Sequence, residues 1–163
     1  MSTSGIIYVH SSPSAVCRHV EWAVAGVLQT KVEFLWTAQA AAPGQLRAEC
    51  EWSGKPGTAG ALVAALRAWP MLRFEVTEEA SPGLDGERFC FVPGLGLWRS
   101  RTSANGDIVV GEDQLRSLAA TARDAESFAH QLDQLLGAAW DDALEPFRRA
   151  ADGAPVTWLH RVG

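Results

Sequence analysis

Residues 6–10 (IIYVH), 14–28 (SAVCRHVEWAVAGVL), 32–37 (VEFLWT), 46–52 (LRAECEW), 58–68 (TAGALVAALRA) and 72–77 (LRFEVT) decide the fold, because the spacing of their apolar residues changes in a fixed order. The first, third, fourth and sixth stretches read as strands. The second and fifth repeat about every 3.6 residues, as helices do. Strand, helix, strand, strand, helix, strand is the order of a split βαβ, ferredoxin-like unit. The expected fold class is therefore α+β. A ferredoxin-like β-α-β-β-α-β unit over residues 1–78 is extended over residues 79–163 by a β-hairpin region and two or three helices, within a single domain. Such a unit hosts unrelated enzymes, sensors and binding modules, so it does not specify a function.

The first strand is apolar on both faces, as a central strand is. Ser12 is placed to cap the first helix, with Pro13 at its first position. On that helix Val16, Val20, Ala23, Val24 and Val27 share one arc, and Trp22 points the other way. In the strands, Val32, Phe34 and Trp36 share a face, as do Leu46, Ala48, Cys50 and Trp52, and Leu72, Phe74 and Val76. The opposite face carries Glu33, Arg47, Glu49, Glu51, Arg73 and Glu75, which reads as a solvated or lightly covered, charge-paired surface rather than a second core. The second helix turns Ala59, Leu62, Val63, Leu66 and Trp69 inward and stops at Pro70.

Beyond residue 77, an acid-, glycine- and proline-rich loop leads to strands at 88–92 and 97–102. Asn105-Gly106 makes a hairpin turn into a strand at 107–110. A helix is expected from 111 to about 122, with acid in its first turn. A longer helix follows from 125 to about 144, burying Phe128, Leu132, Leu135, Leu136 and Ala139 and ended or kinked by Pro146. Residues 156–161 alternate like a final edge strand.

With 163 residues, 47% of them hydrophobic, the chain can bury one sizeable core. Its net charge of −5 is uneven: residues 1–110 carry 9 basic and 10 acidic side chains, residues 111–163 only 5 and 9. An acidic chain with no basic stripe argues against nucleic acid and anionic membrane surfaces as partners. No apolar run approaches the roughly 20 residues needed to span a bilayer, and the start resembles no signal peptide. Cys17, Cys50 and Cys90 are odd in number and far apart, as expected of buried thiols in a reducing cytoplasm.

Several groups carry chemistry, each with a plainer reading beside it. His10, Ser11 and Ser12 lie where a central strand gives way to a helix, a place that suits a carboxylate or phosphate; the alternative is a simple helix cap. Arg99 and Arg101 share a strand face, and Arg88 comes from the preceding strand. Together they fit an anion or an acidic partner, or they pair with Glu87, Glu75 and Asp85. Residues 53–58 (SGKPGT) lack the spacing of a phosphate-binding loop. Glu78, Glu79, Asp85 and Glu87 read as a solvated turn rather than a cation site, and the scattered histidines give no zinc spacing. Cys17 reads as packing rather than as a nucleophile. No catalytic residue, metal or cofactor is therefore assigned. Outward aromatics mark interfaces, which makes Trp22, Trp98 and Trp140 the interface candidates; packing onto the sheet explains Trp22 equally well and is the favoured reading for Trp98 and Trp140.

Residues 5–13 (GIIYVHSSP), 73–79 (RFEVTEE), 104–108 (ANGDI), 139–148 (AWDDALEPFR) and 155–160 (PVTWLH) resemble an actinobacterial family of small proteins, the domain of unknown function 3145. The resemblance runs almost from end to end. It implies no activity, cofactor or catalytic residue, and points only to partners among enzymes or carriers of lipid metabolism. The function expected is a non-catalytic cytoplasmic binding or accessory protein acting through protein–protein contacts. The alternative is a binder of an anionic metabolite or acyl thioester, or an enzyme, with its site at the first helix N-terminus. A homodimer through an open strand edge or the Trp22 face is compatible with both. An acidic carrier protein would have to meet the Arg88, Arg99 and Arg101 face.

Overall fold

The computed structural model describes residues 1–150. Its elements are β1 (Thr3–Pro13), α1 (Ser14–Leu28), β2 (Thr37–Ala38), β3 (Gln45–Gly54), α2 (Thr58–Leu66), β4 (Arg73–Glu78), β5 (Gly86–Val92), β6 (Gly96–Thr102), β7 (Ile108–Val109), α3 (Glu112–Thr121), α4 (Ala125–Leu135) and α5 (Ala138–Arg149). The strands form one seven-stranded sheet in the order β2-β3-β1-β4-β5-β6-β7, with every neighbouring pair antiparallel. The apolar β1 lies inside the sheet, between β3 and β4, as its two-faced composition requires. The strand expected at residues 156–161 lies outside the described residues.

One face of the sheet carries α1 and α2. Ile7, Val9, Phe74, Val76, Phe89 and Phe91 meet Val20 and Val24 of α1 and Leu62, Val63 and Leu66 of α2 there, all buried. Each such side chain contributes about 1.5–3 kcal/mol of transfer free energy. Gly5 lets β1 and β4 approach closely at their far end: a Cβ there would stand 1.8 Å from the Thr77 carbonyl oxygen.

Five expectations need correction. The stretch 32–37 keeps its alternation, with Phe34 buried and Val32 and Trp36 against the core, yet only Thr37–Ala38 pairs as strand. The cause is Glu21 of α1, whose carboxylate accepts from the Phe34 backbone N–H (2.9 Å) and the Trp36 indole (3.1 Å), drawing the segment toward the helix. Ser12 does not cap α1: β1 runs on to Pro13, which holds the cap position without a side-chain cap, and the Ser12 hydroxyl donates to the Pro13 carbonyl.

The long helix expected over 125–144 is two. It breaks at Gly137, left-handed at φ +73°, and α5 continues through Pro146 to Arg149. The expected burial of Phe128 and Ala139 is not seen; both are exposed. Finally, part of the charged face of the sheet is a buried layer rather than a solvated or lightly covered surface. Arg47 and Glu49 do pair there (2.7 Å), but α5 lies across the part formed by β1 and β5, and Glu75 beneath it has no exposed surface.

Candidate functional site

Register places the chemistry under α5. Glu75 on β4 stands opposite Tyr8 on β1 and Cys90 on β5, so strand alternation turns Tyr8, Glu75, Arg88, Cys90 and Trp98 to one face. A register shift in β1 after Val9 accompanies a run of buried residues, His10, Ser11 and Ser12. Helix α5 brings Asp141 and Arg148 onto the same face, seven residues apart and so on one helical stripe.

These side chains form a buried network. His10 Nε2 donates to Glu75 Oε2 (2.6 Å). Arg88 Nη2 donates to Glu75 Oε1 (2.9 Å) and to Asp141 Oδ1 (2.8 Å). Arg148 reaches Glu75 Oε2 through Nε (3.0 Å) and Oε1 through Nη2 (2.5 Å), and touches Asp141 as well (3.1 Å). The Cys90 thiol donates to Glu75 Oε1 (3.3 Å). These donors fill the roughly four acceptor positions a carboxylate offers. Burial by itself would raise the Glu75 carboxyl, but the His10 hydrogen bond and charge, with the Arg148 guanidinium, hold it well below the usual carboxylate range. Burial, followed by the Glu75 charge, pushes the Cys90 thiol well up. Chemically the network is a fastener: it fixes α5 to the sheet, with two carboxylates balancing two guanidinium groups.

Gln39 completes the fastening. Its buried side chain donates to the carbonyls of His10 (2.8 Å) and Phe147 (3.3 Å) and accepts from the Ala41 N–H (3.0 Å). Arg73 lies over the Phe147 ring at 4.6 Å and donates to the Ser11 hydroxyl (3.3 Å). His10, Ser11 and Ser12 are thus buried and engaged with protein groups around the start of α1.

The three arginines do not come together. Arg99 and Arg101 stand opposite Phe89 and Glu87 and share the face away from Arg88. Arg99 pairs with Glu87 and lies over Phe89, and Arg101 reaches Asp85 at 3.6 Å. The plainer reading named these same partners, but it took Arg88–Glu75 for a solvated pair when it is buried. Trp98 and Trp140 take the packing reading rather than the interface one. The Trp98 indole packs in a second core with Cys90, Val92 and Leu144 and donates to the Leu135 carbonyl (3.2 Å). Trp140 is half-buried and donates to the Gly96 carbonyl (2.9 Å). Both stitch the last helices to β6. Trp22 is outward, 61% exposed, with His19 edge-on at 5.4 Å.

Glu78, read with the acidic turn, caps α2: its carboxylate accepts from the N–H groups of Gly57 (2.7 Å) and Ala59 (2.9 Å). Among the described residues, no three His, Cys, Asp or Glu side chains are grouped to hold a metal. The described helices include none long and apolar enough to cross a membrane.

Sequence reasoning missed Asp141, Arg148 and Gln39 as partners and took the buried Glu75 for a solvated group. A signal was present for three of them: the segments that carry the family resemblance contain His10, Glu75, Asp141 and Arg148, so those segments meet under α5. A cleft of about 360 Å³ opens beside this network, lined by Thr77, Glu79, Arg88, Ser103 and Asn105. A second, of about 530 Å³, separates α3 from α4 and is lined by Asp113, Ser117, Leu118, Gln131, Gln134 and Leu135.

No curated protein and no solved structure matches the chain. Residues 6–161 match the model of a family described as protein of unknown function (DUF3145), and the chain, which carries that family's sequence over nearly its whole length, belongs to it.

Proposed function

We propose that this protein is a non-catalytic accessory protein that holds another protein through its C-terminal helices. The observation that carries this reading is the packing of α3 and α4. No residue of α4 is buried, only Leu118 of α3 is, and Leu115 (42%) and Phe128 (36%) are exposed. Two amphipathic helices with so little covered surface suit contact with a further partner. Around Glu75, by contrast, the polar groups are committed to internal bonds.

The strand order β2-β3-β1-β4, with both crossover helices on one face, supports reading residues 1–78 as the ferredoxin-like unit that carries this surface. The free thiols of Cys17, Cys50 and Cys90 suit a reducing cytoplasm. Both sheet edges are two-residue strands, a poor template for an edge-to-edge homodimer. The metabolite reading has less support, because a ligand at His10, Ser11 and Ser12 would compete with the Glu75 and Arg73 contacts. Partners in lipid metabolism remain the direction in which the family resemblance points.

Native mass spectrometry of the protein isolated gently from its own cells tests the proposal. It is expected to show one protein bound at one to one. A bound small acid in place of a protein would overturn the proposal. So would a rise in melting temperature with acyl thioesters or phosphorylated metabolites that is lost on His10→Ala and Ser12→Ala.

A further inference from the structure

The geometry points to the open half of β6 as the edge at which a partner's extended acidic segment adds to the sheet. This inference rests on the accessory reading above: it gives the partner a second foothold beside α3 and α4, and names the chemistry of the segment that docks there.

Hydrogen-bond alternation identifies the groups on offer. The Ser103 N–H donates to the Asp107 carbonyl (2.8 Å), so the backbone groups of Arg101, Arg99 and Leu97 turn to the same outer side. Strand β7 pairs with Arg101 and Thr102 and then stops. Continued in register, Gly111 would face Arg99, but the Gly111 N–H donates to Gln114 Oε1 (2.9 Å) at the start of α3 instead. Among the described residues, no hydrogen bond reaches the backbone N–H and C=O groups of Leu97 and Arg99. A groove of about 420 Å³ follows this stretch, with Trp98, Arg99 and Arg101 on one side and Gln114, Gln134 and Leu135 on the other. The four open residues, 97–100, span about 13 Å, enough for the middle of a short peptide.

Charge and pairing decide the occupant. Of the described residues lining the groove, two are arginines and none is an acid. Arg99 uses Nε and Nη2 on Glu87, which leaves Nη1. Arg101 reaches Asp85 only at 3.6 Å, and both arginine side chains are more than half exposed. A segment that continues the column of β7 runs antiparallel to β6, so its residues face Arg99, Trp98 and Leu97 in turn. An acid opposite Arg99, then one apolar residue against Trp98 and Leu135 and another against Leu97, matches all three positions. A second copy of this chain would bring the same two arginines to the edge, and like charges facing across strands repel. Residues 151–163 hold one acid, Asp152, followed by glycine and alanine, so they lack the pattern too.

The test uses the full-length protein and three capped peptides of about eight residues, rich in threonine around a central glutamate-valine-valine. The second peptide has lysine in place of the glutamate. The third is the first with N-methyl groups on the amides that would pair. The glutamate peptide is expected to bind saturably at one to one, at least tenfold tighter than the other two and more weakly as salt rises. The Leu97 and Arg99 amide protons should exchange rapidly in the free protein and become protected in the complex. Arg99→Glu changes an exposed side chain, and with it the preference between the glutamate and lysine peptides should reverse.

No binding, equal binding of the glutamate and lysine peptides, undiminished binding of the methylated one, or an unreversed preference would overturn the inference. So would protection of both amides before any peptide is added, since the edge would then already be filled. In native mass spectrometry, the accessory reading expects the protein partner to be lost with Leu115→Gln, Phe128→Gln, which changes the exposed apolar residues of α3 and α4. If Arg99→Glu keeps a partner that this double variant loses, the edge inference alone falls. If the wild type shows no protein partner, the accessory reading falls with it.

Discussion

At the scale of single residues, Glu75 governs how the second face of the sheet is built. A carboxylate with no exposed surface is strongly destabilising when isolated, since its desolvation is returned only by good partners. Arg148, Arg88, His10 and the Cys90 thiol supply them. The carboxyl is held below its ordinary value of 4.5. Its contribution to stability is therefore complete above about pH 4.5 and is lost as pH falls through the folded-state value. Replacing Glu75→Gln leaves two buried guanidinium groups short of a counter-charge. Urea titrations followed by tryptophan fluorescence should show a loss of about 3–5 kcal/mol at pH 7 and a flatter acid limb below pH 4.5. Equal stabilities at pH 7 would mean that the network does not fasten α5.

This residue was hard to read in the sequence for a physical reason. Alternation places Glu75 on the right face, but only the return of α5 from more than 60 residues away covers it. The arginines show the same limit. Period-two spacing grouped Arg99 with Arg101 correctly, while the register between β5 and β6, which sends Arg88 to the other side, depends on pairing across the Pro93-Gly94 turn.

At the scale of elements, boundaries followed local chemistry wherever the nearest partner was local. Helix α1 runs Ser14–Leu28, as its apolar arc implied. Where a distant side chain intervened, the boundary moved. Glu21 drew the 32–37 segment away from the sheet, and Trp98 helped to split one helical pattern into α4 and α5. At that corner the Trp98 indole takes the Leu135 carbonyl, an acceptor left over at a helix end, while Gly137 turns left-handed beneath the ring. A Cβ at Gly137 would stand 2.6 Å from the indole carbons, a rigid neighbour that cannot swing aside. Gly137→Ala should therefore cost more than about 1 kcal/mol, read as a lower urea midpoint, with loss of hydrogen-exchange protection in α4 and α5 before the rest of the chain. An unchanged midpoint would show that the corner adjusts freely.

At the scale of the molecule, the two faces of the sheet have different roles. The face under α1 and α2 is an apolar core whose membership could be listed from periodicity, because hydrophobic burial is set mainly by pattern. The face under α5 is held by charge pairing between segments distant in sequence, which pattern alone does not reveal. The surface proposed for binding was partly legible: both helices can be read from the sequence, but the burial of Phe128 on α4 was overestimated, since nothing local says that a stripe will stay uncovered. The central claim is that α3 and α4 hold a protein partner while the Glu75 network serves the scaffold. Its most direct measurement is quantitative affinity purification from the native cell, with the wild type beside the Leu115→Gln, Phe128→Gln variant. The account predicts one protein recovered near one to one with the wild type and at least tenfold less with the variant. Equal recovery by both, or no stoichiometric protein with either, would contradict it.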